Sequence, residues 1–148
     1  MVETEVLTTT DFPSIIHQNE ISDELVKWGN ENNYPIKKAK LVNKLNGYVG
    51  FSEGFFIAAR QKPPVPGGWT VTVEKFQPET RIIPLNVNKQ GEINRFVKKM
   101  IEQYALDGLK MELSDKIYDS YGTRLQDLTV TGHPFLISQF EDFIENMR

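Results

Sequence analysis

The sequence predicts an α+β protein: an antiparallel sheet of five to seven strands, two long amphipathic helices on one of its faces, and a short N-terminal helix. Three observations carry that expectation. Ile93, Phe96, Val97, Met100, Ile101, Tyr104 and Ala105 fall on one continuous stripe of a helix over residues 92–106. Short runs between residues 48 and 87 alternate apolar with polar residues and are separated by glycine or proline turns. A hairpin-then-helix order recurs when the chain is shifted against itself by 43 residues.

Residues 1–20 are polar, rich in threonine and broken by Asp11-Phe12-Pro13, so a loosely ordered segment is expected ahead of a single domain over 21–148. Ser22-Asp23-Glu24 opens the first helix: serine is a capping residue, and acids in a first turn suit the helix dipole. Leu25 and Trp28 form its apolar stripe, and Gly29-Asn30-Glu31-Asn32-Asn33 ends it. Residues 34–46 fit either a strand or a short helix. Asn46-Gly47 before Tyr48-Val49 is a hairpin signal and favours the strand.

Ser52-Glu53-Gly54 parts two apolar runs, which makes a second hairpin. Lys62-Pro63-Pro64-Val65-Pro66-Gly67-Gly68 is a loop. Trp69-Thr70-Val71-Thr72-Val73 alternates as a half-buried strand does, and Gln77-Pro78-Glu79-Thr80 turns the chain. Ile83, Leu85 and Val87 alternate next. Pro84 lies among them without an N–H to donate, which marks an edge strand.

Gly108 ends the helix over 92–106, and Leu109, Met111 and Leu113 alternate beyond it. Leu128 and Val130 mark another strand. Pro134 then opens a last helix with Leu136, Phe140, Phe143, Ile144 and Met147 as its stripe. The 43-residue shift lays Leu85 on Leu128, Val97 on Phe140 and Ile101 on Ile144, so one hairpin–helix unit is expected twice, over 68–106 and 108–148.

The 148 residues include no cysteine and carry 17 Lys+Arg against 20 Asp+Glu, a formal charge of −3. A disulfide scaffold, a thiol nucleophile and a cysteine-bound metal are thereby excluded. His17 and His133 are the only histidines, which leaves little for a histidine metal site. No run approaches the ~20 apolar residues of a membrane span. The acidic N-terminus does not resemble a signal peptide, so a cytoplasmic location is expected.

Several motifs have bland explanations that outweigh their functional ones. Gly50-Phe51-Ser52-Glu53-Gly54 matches G-x-S-x-G, and an aspartate (Asp107, Asp119 or Asp127) and His133 follow in hydrolase order. That motif needs a helix after the serine, and the β-prone run Phe55-Phe56-Ile57 follows here. Arg60-Gln61-Lys62-Pro63-Pro64-Val65-Pro66 matches a polyproline ligand, yet a stiff loop reads identically. Asp115, Asp119 and Asp127 lack calcium-loop spacing. Gly67-Gly68 lacks the partners of a phosphate loop. Arg81 and Arg124 are equivalent under the shift and suit either an anion clamp or two strand-end charges.

Two segments remain as candidate binding sites. Arg60, Lys62 and Trp69 flank the proline loop as a basic and aromatic rim, with Phe55 on the neighbouring hairpin. Phe55 and Phe56 point to opposite faces of a strand, so a second apolar face needs a cover, and self-association is one way to supply it. Lys37, Lys38, Lys40 and Lys44 form the densest basic patch, suited either to phosphates or to guarding an edge strand. The acidic balance of the whole chain argues against nucleic acid. These features point to a non-enzymatic binding or adaptor protein, with no catalytic residue, metal or cofactor assigned and a protein partner or second copy as its target. A small-molecule pocket or minor enzyme, and nucleic-acid binding through residues 36–44, are the alternatives.

Overall fold

The computed structural model describes residues 4–13, 17, 19–63, 67–85, 90–115, 117–118, 120–121 and 124–147. The architecture is α+β, with antiparallel sheets of five and three strands, a two-stranded ribbon and three α-helices among the described residues. The chain divides into two units, Met1–Gln77 and Pro78–Arg148.

In the first unit the strands are β1 (Thr4–Phe12), β2 (Lys40–Val42), β3 (Gly47–Phe51), β4 (Phe55–Gln61) and β5 (Trp69–Phe76), in the order β1-β5-β4-β3-β2. Helix α1 (Ile21–Glu31) packs on β3 and β4. The strands alternate as their sequences dictate. Ile57, Ala59, Trp69, Val71 and Val73 turn toward Ile21, Leu25 and Ile36 to form one core cluster. Val49, Phe51, Phe56, Ala58 and Phe76 occupy the opposite face and are buried. Phe56 meets Phe51 at a ring separation of 5.8 Å and Phe76 at 6.3 Å.

Helix α1 begins at Ile21, so Ser22 lies inside it rather than capping it, while Asp23 and Glu24 occupy the first turn. Its end is set by Asn33, whose φ of 66° reverses the chain, and by the Tyr34 N–H donating to the Gly29 carbonyl at 2.8 Å. Residues 34–46, ambiguous in sequence, form β2 followed by one 3₁₀ turn, Asn43–Leu45. Asn46 sits in the left-handed region with φ 56°, which closes the β2–β3 hairpin.

In the second unit β10 (Asp127–Gly132) lies between β6 (Glu79–Pro84) and β7 (Lys110–Leu113) and is antiparallel to both. β6 and β7 are therefore parallel, and helix α2 (Gln90–Ala105) is the crossover between them. β8 (Ile117–Tyr118) and β9 (Arg124–Leu125) form the ribbon. Helix α3 (Pro134–Met147) packs on β10 and β6. Leu128 and its cross-strand neighbour Ile83 are buried, and Tyr104 of α2 meets Phe140 of α3 edge to face at 5.4 Å. β6 is an edge, where Pro84 costs no ladder bond.

Three expectations are corrected. The strands do not share one sheet: α1 lies on the five-stranded sheet, and α2 and α3 belong to the unit of the three-stranded one. The N-terminal segment is a strand, because Thr4–Phe12 pairs with β5 along its length. The hairpin–helix unit is not used twice. β5 has β1 on one side and β4 on the other, so neither of its edges is open to β6. What recurs at 43 residues is one strand followed by one helix, β6–α2 and β10–α3. Val87 and the loop residues Pro64–Pro66 lie outside the described residues. Among the described residues no helix is long and apolar enough to cross a membrane.

Candidate binding groove

Helix α1 and the segment before β2 enclose a groove of about 290 Å³, lined by Ser22, Asp23, Val26, Lys27, Lys37, Lys38 and Ala39. The helical repeat builds one wall: residues 22, 23, 26 and 27 fall on the same side of α1. The other wall follows from the turn at Asn33. It brings the chain back along α1 and lets Ile36, only 4% exposed, anchor in the core. Gly50 makes room for that anchor, since a Cβ there would strike the Ile36 side chain. Ala39 packs against the same core, and Lys37 and Lys38 fall between the two anchors. Three lysines against one aspartate give the lining a formal charge of +2, in a chain whose total is −3.

The eight candidate residues scatter. Lys37 and Lys38 line the groove. Lys40 opens β2 opposite Val49, and Lys44 lies on the 3₁₀ turn. The basic and aromatic rim is not assembled. Trp69 is 5% exposed and stacks edge to face with Tyr48 at 6.0 Å. Arg60 donates through Nε to the Leu45 carbonyl at 3.2 Å and pairs with Glu74 at 3.5 Å. Lys62 pairs with Asp11 of β1 at 3.3 Å. Phe55 turns toward α1 and meets Tyr34 at 5.7 Å, while Phe56 is 3% exposed.

The weaker motifs resolve into structure. Ser52 sits in the β3–β4 turn, its N–H donating to the Phe55 carbonyl at 2.9 Å, with a strand after it and not a helix. Gly54 takes φ 82° there, which favours glycine. His133 caps α3: its Nδ1 accepts the Phe135 N–H at 3.0 Å and its carbonyl accepts the Ile137 N–H at 3.1 Å. Arg81 donates to Glu141 and Glu79, both at 3.0 Å, and those hydrogen bonds, Glu141 first, raise its pKa further. The Arg124 side chain and Asp119 lie outside the described residues. Among the described residues no group of three or more His, Cys, Asp or Glu side chains is placed to hold a metal ion.

Sequence reasoning missed Lys27, Ser22 and Asp23 as site residues. Their signal was the polar side of α1, but only the turn at Asn33 brings Lys27 and Lys37 to the lining of one groove. Comparison with protein-family models, with curated proteins and with solved structures gives no match.

Proposed function

We propose that this chain is a non-enzymatic binding or adaptor protein, and that the groove between α1 and residues 37–39 receives an acidic segment of a protein partner. One observation supports the reading most: three lysines from two separate segments converge on a partly apolar groove in a chain of opposite net charge. Val26, Ala39 and the lysine stems offer apolar contact, while the ammonium groups offer the matching charge. Charge of this kind steers encounter and selects the partner more than it adds affinity. The lining holds no aromatic ring to stack on a base, which favours an acidic peptide over nucleic acid. A cytoplasmic location belongs to the same reading, since a chain without cysteine draws nothing from an oxidising compartment.

The test is titration of the full chain into a labelled peptide rich in glutamate with interspersed valine. Binding is expected to weaken as salt rises, and Lys27→Glu with Lys37→Glu is expected to weaken it by about tenfold or more. Tighter, salt-sensitive binding of a labelled DNA duplex would replace the protein partner with nucleic acid. Binding unchanged by both charge reversals would remove the groove from the mechanism.

A further inference from the structure

Resting on the binding reading above, we propose that the acidic segment binds as an extended strand added to the outer edge of β2. β2 ends the five-stranded sheet, with β3 on its inner side. The groove wall at residues 37–39 runs directly into β2 at Lys40, so a strand added to β2 would continue along the chain into the groove wall. An added strand would bond through its main chain to β2 and present alternate side chains to the α1 side of the sheet.

The side chains along this edge define what would fit. Leu41, at the centre of β2, is 52% exposed. It lies opposite Tyr48, whose ring packs on the α1 side. An acidic residue of the added strand facing the groove would therefore be followed, two residues along, by an apolar residue over Leu41. The geometry selects an acidic–any–apolar pattern in an extended peptide.

Charge decides between this occupant and a second copy of the chain. Lys37, Lys38, Lys40 and Lys44 all lie along the segment, so two copies joined at β2 would set lysine against lysine. Lysines on an edge strand prevent self-pairing, and the same charges admit an acidic strand. The opposite edge of the sheet is less suited: β1 is irregular between Val6 and Thr8 and carries Glu5, which repels an acidic strand.

The experiment uses the full chain and three blocked, labelled peptides that alternate glutamate and leucine. One is unmodified, one is N-methylated at odd positions, and one at even positions. Every second N–H of an added strand faces β2, so one methylated peptide is expected to lose about tenfold or more in affinity while the other stays within about twofold. Because the modification is on the peptide, folding of the protein is untouched. Equal affinities for the two methylated peptides, whether retained or lost, overturn strand addition. If the unmodified peptide binds in that case, the groove reading stands alone. If the unmodified peptide and an unstructured polyglutamate both fail to bind, the groove reading falls with it.

Discussion

The Arg60 guanidinium lies 3.5 Å from the Glu74 carboxylate and donates to the Leu45 carbonyl, so it joins β4 to β5 and to the turn before β3. The arginine is a structural tie on the sheet. Arg60→Ala is expected to lower stability by about 1 kcal/mol, since the pair is partly exposed and one main-chain acceptor loses its donor. Affinity for the acidic peptide should not change. Urea denaturation and the peptide titration measure the two effects separately.

Gly50 and Ile36 set the inner wall of the groove. A Cβ at residue 50 would meet the Ile36 side chain and the Lys38 carbonyl at 3.0 Å. Gly50→Ala should cost about 1–3 kcal/mol through overpacking. Adding Ile36→Val removes the nearest methyl group, so the double variant should be more stable than additivity allows. A double-mutant cycle by chemical denaturation checks this coupling.

Tyr104 is buried, and burial first and Asp107 second push its hydroxyl up from 10.0 to about 12. The neutral form is therefore favoured in the folded state. That contribution to stability is complete below pH 10 and is lost as pH rises toward about 12. Tyr104→Phe should lessen the alkaline fall in stability across this window. Thermal melts of the two proteins at matched alkaline pH, with tyrosinate absorbance as a second signal, give the comparison.

His133 and Phe135 define the start of α3 through one side-chain hydrogen bond. His133→Ala should cost about 0.5–2 kcal/mol by removing the cap, and His133→Asn should recover most of it. The melting temperatures of the three proteins decide the matter. An alanine variant as stable as the parent would contradict the capping role.

The legible parts of this fold are those governed by neighbours in sequence. Alternation around Val71 and Val73 identified β5, the stripe through Val97 and Tyr104 identified α2, and Pro84 marked an edge. Asn46-Gly47 predicted the turn after β2. β1 escaped notice because Thr8, Thr9 and Thr10 give no apolar alternation. Its strand conformation is secured by pairing with β5, more than fifty residues away.

The candidate site was legible only in part for the same reason. Lys37 and Lys38 stood out as a local charge run, whereas Lys27 looked like any solvated helix residue. Trp69 looked like a rim residue because its loop is basic, yet its strand turns it into the core.

The sequence by itself determined the strongly periodic elements such as β5 and α2, because the 3.6- and 2-residue periods are properties of the local backbone. It also determined the charge along residues 37–44 and the absence of thiol chemistry. Only the tertiary structure decided that β5 pairs with β1 rather than β6 and that the strands divide into separate sheets. It alone put Lys27 and Lys37 on the lining of one groove. Ladder hydrogen bonds use the same main-chain groups in every strand, so the choice of partner rests on distant side chains that fill a common core.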